Sequence, residues 1–243
     1  MAVIWEKRVG GRLYQVRSAG QTRRLYTDGV FHSQYRPQAA QAGGIWDLLW
    51  LPALLAPAGS IQRVLVLGVG GGAVIRQLHR YLAPSAVIGV ERDAVHLQVA
   101  RRFFGITPQR ATLVEADAVT WLADYAGPPF DLIIDDLFGE ADGEPVRAVP
   151  ANPGWCRALC RHLADEGLLV MNFVAAADLH NSACLAYRKL RREFTSALRL
   201  SLPAYDNVIG AFARFPARAR DLRPRMAALP GFGELPLAVR QVA

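Results

Sequence analysis

The chain is poor in cysteine, almost empty of lysine and free of any long apolar run. Three cysteines, Cys156, Cys160 and Cys184, occur in 243 residues with no Cys-x-x-Cys spacing. Neither a disulfide framework nor a metal site is expected, and the three thiols read as reduced and structural. The longest apolar stretch, Leu48 to Gly59, is broken by Pro52 and Pro57 and is too short to cross a bilayer, so no membrane partner is expected. The amino terminus has no apolar segment behind leading charges, which excludes a secretory signal and makes a cytoplasmic protein the expectation. Lys7 and Lys189 are the only lysines among 28 basic residues. The net charge of +7 is therefore mostly scattered arginine. With no short basic block and no recognisable nucleic-acid module, it does not call for a nucleic-acid partner. What is present, 52% apolar and 20% charged residues, is the composition of a globular protein with a real core.

A local absence is more informative. No lysine or arginine lies between Ala111 and Val146, a window that holds nine of the 21 acids: Glu115, Asp117, Asp124, Asp131, Asp135, Asp136, Glu140, Asp142 and Glu144. Clustered carboxylates in a basic protein fit a pocket for a cation, because a low-dielectric cleft strengthens their pull on an ammonium group. The plainer reading is that several of them cap helices or solvate a loop.

Along the chain, residues 1–36 alternate apolar and polar side chains around Gly10-Gly11 and Asp28-Gly29, which predicts a small β-domain of short antiparallel strands. A connecting helix is expected within residues 37–60, from about Gln38 to Leu55, kinked or shortened by Pro52. Over 61–215, the runs Val64 to Leu67, Val87 to Val90, Thr112 to Val114, Leu132 to Ile134 and Leu168 to Met171 alternate with helix-length connectors. That predicts an α/β domain with a doubly wound, mostly parallel Rossmann-like sheet. Leu198 to Leu202 and Val208 to Phe215 add a terminal antiparallel hairpin, and residues 216–243 read as a peripheral tail.

The chemistry gathers at the strand ends. Val64 to Leu67 runs into Gly68, Gly70, Gly71 and Gly72 and then a helix; glycines there let the backbone approach a ligand at the helix amino terminus. Gly68, Gly70 and Ala73 also satisfy the dinucleotide form G-x-G-x-x-A, so NAD must be weighed. The next strand ends at Glu91, placed to accept hydrogen bonds from both hydroxyls of a ribose, while Asp93 reads as the cap of the following helix. Asp117 is a candidate for the adenine amino group, with helix capping as the rival role. Asp135 and Asp136 end the fourth strand at the carboxyl edge, where open parallel sheets bind ligands. Asp131 starts that strand at the opposite edge and reads as solvated.

In these features the sequence resembles the spermidine synthases and related polyamine aminopropyltransferases. Leu25 to Val30, the glycine stretch from Gly68 to Arg76, Glu91, Asp117, Phe130 to Asp136, and Pro203-Ala204-Tyr205 followed by Ile209-Gly210 fall in that family's order. The resemblance implies a class I S-adenosylmethionine methyltransferase fold behind a small β-domain, which the terminal hairpin suits better than a dinucleotide domain. It implies decarboxylated S-adenosylmethionine or S-adenosylmethionine as co-substrate, with Glu91 on ribose, Asp117 on adenine and Asp135 on the donor side. Asp136 would be the acid beside the attacking amine of a small acceptor; Tyr205 would line the site, with plain packing in the hairpin as its rival role, and the β-hairpin domain would pair two subunits in a homodimer. No metal is implied.

Departures from the family pattern keep the reaction open. The family acid that grips the donor's aminopropyl ammonium falls on Gly71, its second loop acid on Gly139, its tyrosine before the glycine loop near Ile45 or Trp46, and its glutamine after the Asp-Gly turn on His32. Glu140, Asp142 and Glu144 could replace lost acids if their loop folds back. Three readings follow: aminopropyl transfer to a cationic amine, methyl transfer from intact S-adenosylmethionine, or nucleotide binding without catalysis. Loss of the acid at 71 relieves repulsion with a donor carboxylate and favours the second.

Overall fold

Residues rich in β-branched and aromatic side chains, broken by left-handed turns, build the first sheet. In the computed structural model, which describes residues 1–141 and 144–242 and the side chains of all of these except 140, 141, 144 and 145, β1 (Ala2–Val9), β2 (Arg12–Ala19), β3 (Thr22–Thr27) and β4 (Val30–Tyr35) form an antiparallel meander in chain order. The β3–β4 turn depends on Asp28 and Gly29, both at positive φ (49° and 87°), the conformation a two-residue hairpin turn requires. Asp28 also accepts the Leu13 N–H at 2.7 Å, which ties this turn back to β2. That backbone bond is the main reason its carboxyl is held below the usual range.

The connecting helix is much shorter than expected. Residues 36–44 are irregular, α1 spans only Ile45–Leu48, and Leu51–Leu55 form a 3₁₀ turn with Pro52 at its start. Gly43 and Gly44 sit at φ 87° and 106°, outside the helical region. The buried Asp47 carboxylate accepts the Ala42 and Gly43 N–H groups at 2.8 and 2.7 Å, so the side chain supports a loop where helical bonds would otherwise run.

The remaining chain alternates strands and helices: β5 (Arg63–Leu67), α2 (Ala73–Tyr81), β6 (Ala86–Glu91), α3 (Ala94–Phe103), β7 (Thr112–Glu115), α4 (Ala118–Asp124) and β8 (Phe130–Asp135). After a two-stranded hairpin of β9 (Phe138–Ala141) and β10 (Glu144–Arg147) come α5 (Pro153–Arg161) and the long β11 (Leu163–Phe173). Three short helices, α6 (Ala176–Asn181), α7 (Ala183–Ala186) and α8 (Arg188–Arg191), lead to β12 (Ser196–Ser201) and β13 (Val208–Ala213). The eight-stranded sheet has the order β14-β12-β13-β11-β8-β5-β6-β7, where β14 is Ala238–Gln241. Its five neighbours from β11 to β7 are parallel, and β13 enters antiparallel between β11 and β12. Val64 to Leu67 are completely buried, as a strand covered on both faces must be. Chain progression reverses direction between β5 and β8, so their carboxyl ends open a crevice at the switch point.

Two expectations need correction. Asp131 is not simply solvated: its carboxylate accepts the N–H groups of Gln62 and Arg63 at 2.9 and 2.8 Å, clamping the entry of β5 to that of β8. Nor is the segment after residue 216 peripheral. Within it, α9 (Ala219–Ala227) buries Leu222 and Met226, β14 extends the main sheet, and Phe232 is 1% exposed. The Phe232 ring stands edge-on to Trp50 and Tyr81, 5.5 Å from each. The arginines that make the segment look polar are exposed, while widely spaced apolar residues, Leu222 and Met226 among them, are buried. No helix among the described residues is long and apolar enough to cross a membrane.

Candidate active site

A cleft of about 330 Å³ opens at the carboxyl edge of β5, β6, β7 and β8, roofed by β4 and α1. Its floor is the glycine turn. Gly68 has φ +85°, and a Cβ there would lie 2.3 Å from the Asp136 carbonyl oxygen, so only glycine lets β5 and β8 end side by side. Gly68 and Gly70 line the cleft. Gly71 and Gly72 do not: a Cβ on Gly71 would meet the Phe104 ring at 2.7 Å and Ser33 at 2.9 Å, and one on Gly72 would meet Ile106 at 2.6 Å. Those two glycines serve packing behind the loop.

Glu91, at the end of β6, is buried at the cleft wall. One carboxylate oxygen accepts Val69 N–H at 3.1 Å and Gly70 N–H at 2.9 Å, and the other accepts Asp93 N–H at 3.0 Å. Burial alone would raise its pKa, but the facing His96 imidazole and these N–H groups more than offset burial and hold the carboxyl below its ordinary value. Asp93 caps α3 through Val95 and His96 N–H and receives the Tyr14 hydroxyl at 2.8 Å and Arg12 at 3.4 Å. The small sheet is thereby fastened to the domain of the eight-stranded sheet. Burial, with Asp93 as hydrogen-bond acceptor, pushes the Tyr14 phenol up to about 12. Asp117 does cap α4, accepting Val119 and Thr120 N–H at 3.0 Å each, and it also lines the cleft. The two roles weighed for it are compatible, since the cap uses one oxygen.

The paired acids at the end of β8 part company. Asp135, fully buried, turns away from the cleft and meets Arg147 at 2.8 Å, Trp155 Nε1 at 2.8 Å and Leu137 N–H at 3.3 Å. Its expected contact with the donor is replaced by a structural ion pair, because alternation along a strand sends consecutive side chains to opposite faces. Asp136 lines the cleft and accepts the Asn172 amide N–H at 2.8 Å. Burial raises its pKa to about 6, with Asn172 pulling it down and the neighbouring Asp135 charge pushing it up.

Phe31, Ile45, Trp46 and Tyr205 complete the wall beyond Asp136, with Phe31 and Trp46 edge-to-face at 4.9 Å. His32 is there too, its ring 4.8 Å from that of His96. Burial and the His96 charge lower its pKa to about 4, so it is neutral at pH 7. Its buried Nε2 has no hydrogen-bond partner among the described residues. Gly139 lines the cleft, whereas the side chain of Glu140 and the residues Asp142 and Gly143 lie outside the described residues.

Five polar cleft residues, Arg12, Arg92, His96, Asn172 and Asn207, are not singled out by sequence. His96 hydrogen-bonds Thr27 at 2.8 Å and reaches the site from a helix face with no motif around it. Asn172 was legible in principle, as a polar residue ending the apolar run of β11. Asn207, which donates to Asn172 at 3.2 Å, and Arg12 come from distant segments that only the tertiary fold brings in.

A parallel sheet ending in an antiparallel hairpin, with a glycine turn and a strand-end acid beneath a cleft, defines a protein with the methyltransferase-type fold. The model of the spermine/spermidine synthase domain matches residues 48–175, and the chain belongs to that family. It is 28% identical over 186 residues to polyamine aminopropyltransferase 2 of Caldanaerobacter subterraneus subsp. tengcongensis, covering 74% of this chain and 61% of that protein. Against the polyamine aminopropyltransferase of Aeropyrum pernix it is 26% identical over 239 residues, covering 92% and 70%. Among solved structures, a probable spermidine synthase from Corynebacterium glutamicum ATCC 13032 shares the fold with a TM-score of 0.77 at 18% identity, over 99% of this chain and 91% of that one.

Proposed function

We propose that this protein transfers the aminopropyl group of decarboxylated S-adenosylmethionine to a cationic amine of the polyamine class. The observation that carries this reading is Asp136: an acid with its pKa raised to about 6, on the aromatic-walled end of the same cleft that holds Glu91. An amine with an ordinary pKa near ~10.4 is protonated at pH 7 and has no lone pair to attack with. The Asp136 carboxylate attracts the ammonium and takes up or relays its proton. The freed nitrogen forms a bond to the aminopropyl carbon next to sulfur, the C–S bond breaks, and its electron pair returns to sulfur. The products are the lengthened amine and neutral methylthioadenosine. In this reading Glu91 receives the ribose hydroxyls, Asp117 the adenine amino group, Gly68 and Gly70 the approach of the nucleoside, and His32 and Tyr205 the substrates. The family resemblance also supports a homodimer through the first sheet, whose β1 exposes Val3, Ile4 and Val9, and a place in the cytoplasm.

One observation favours methyl transfer as a second reading. Residue 71 carries no acid to hold the donor's ammonium, its Cβ direction being occupied by Phe104 and Ser33, while Arg12, between Asp28 and Asp93, lines the cleft as a cation that a donor carboxylate could approach. Product mass decides between the two. Incubation with an amine and each donor should lengthen the amine by an aminopropyl group with the decarboxylated donor; methylated amine from the carboxylated donor alone overturns the first reading. Glu91→Gln should weaken binding of methylthioadenosine by about 1.5–3 kcal/mol, the range for hydrogen bonds to a charged group. Calorimetric titration measures it, and an unchanged affinity removes the ribose role.

A further inference from the structure

A second cavity, of about 240 Å³, shares no lining residue with the cleft and carries the opposite charge. It lies between α2 and the segment leading from β4 toward α1, and the guanidinium-bearing residues Arg36, Arg76, Arg80 and Arg110 line it along with His79. No acid lines it. Among the described residues none of these four arginines is within ion-pair distance of a carboxylate.

Three of the four arginines are held in place by neutral groups. Arg76 donates to the Phe104 carbonyl at 2.8 Å and lies over the Tyr35 ring at 3.9 Å; Arg80 donates to the Ala39 carbonyl at 2.7 Å and Arg110 to the Gly105 carbonyl at 3.2 Å. Carbonyl oxygens fix guanidinium orientation without cancelling its charge. Arg76 is half-buried, and its pKa is lowered by burial first and then by the repulsion of Arg110 and Arg80. Asp47 stands behind the wall, joined to it through Gln77 at 3.3 Å; burial raises its pKa to about 6 against the pull of the Ala42 and Gly43 N–H groups and of the Arg36 charge, so of the four arginines it is Arg36 that it partly offsets. Four like charges converging on one concavity repel one another unless a counter-charge enters. Guanidinium forks match phosphate oxygens in a bidentate way.

We propose that this cavity binds a small phosphate-bearing polyanion, of the size of inorganic phosphate or pyrophosphate, at a site separate from the catalytic cleft. The ligand would neutralise the arginine ring and join α2 to the segment that ends in Ile45 and Trp46 of the cleft wall.

The test is calorimetric titration of the full chain, without donor or amine, with inorganic phosphate, pyrophosphate and ribose 5-phosphate in low-chloride buffer. The comparison variant is Arg36→Gln with Arg80→Gln; both side chains are exposed, and an unchanged melting temperature confirms folding. Arg110→Gln serves as an independent second variant. The expected result is saturable one-site binding, tighter for pyrophosphate than for phosphate, weakened at least tenfold in both variants. Ribose 5-phosphate binding above or below inorganic phosphate then says whether an ester or the free ion is the better fit. Absence of saturable binding, equal competition by chloride, or an affinity unchanged in the variants overturns the proposal. So does an RNA oligonucleotide that binds more tightly than pyrophosphate and loses binding in the same variants.

Discussion

Asp136→Asn is expected to lower turnover by about 10²–10⁴-fold, the span of a lost general base, while methylthioadenosine still binds. Asparagine keeps the shape and still accepts the Asn172 N–H that Asp136 now receives at 2.8 Å, so the loss falls on proton transfer and not on architecture. Two pH measurements sharpen the test. In the wild type kcat/KM should rise with pH through about 6, where the raised carboxyl ionises; a limb near the ordinary carboxylate value places the base elsewhere. Stability moves the other way. A folded-state pKa above the unfolded value means that Asp136 contributes stability in its protonated form, and this is lost as pH climbs from the unfolded pKa through about 6. The asparagine variant, which never ionises, should therefore gain in melting temperature relative to wild type between pH 4 and pH 7. A melting difference independent of pH would show that burial does not strain the charge.

Arg147→Ala is expected to reduce folding stability by about 3–5 kcal/mol, the penalty for leaving a buried charge unpaired. Arg147 meets Asp135 at 2.8 Å, donates to the Val149 carbonyl at 3.0 and 3.2 Å, and also donates to the Asn172 carbonyl. One guanidinium thus joins the ends of β8, β10 and β11 behind the cleft. Urea unfolding of the single variant and of Arg147→Ala with Asp135→Asn separates charge from packing: the double variant should recover part of the loss, because these two sites couple directly. Equal midpoints for the single and double variants would mean that packing alone is at stake. The single variant should also lose kcat, since Asn172, which holds Asp136, is anchored by the same group.

The parallel sheet was legible because each strand is a short apolar run closed by glycine or an acid, and the small sheet because alternation and Asp-Gly turns are local signals. The acids at Glu91 and Asp136 could be placed from strand ends alone. Asp135 could not be assigned correctly by the same rule, since adjacent residues at a strand end differ in face, and the partners that claim it, Arg147 and Trp155, lie 12 and 20 residues away. The tail was misread for a related reason: Phe232 is buried by Trp50 and Tyr81, neither of which is near it in sequence. His32 was found through its place after the turn, but its companion His96 carries no local signature. The helix expected from Gln38 failed where an acid, Asp47, solvates loop N–H groups from inside, a competition that apolar periodicity does not register.

The ring of Phe104 standing 2.7 Å from where a side chain on residue 71 would begin couples these two positions sterically. Phe104 is wholly buried and packs near Tyr35, so an acid arriving at 71 alone would be driven into an aromatic core, while a smaller residue at 104 alone would leave a cavity. A smaller residue at 104 relieves the ring contact but leaves Ser33 at 2.9 Å, so the two changes are expected to be non-additive, as for residues in contact. Restoring an acid at 71 therefore requires repacking at both 104 and 33, whichever donor the cleft accepts.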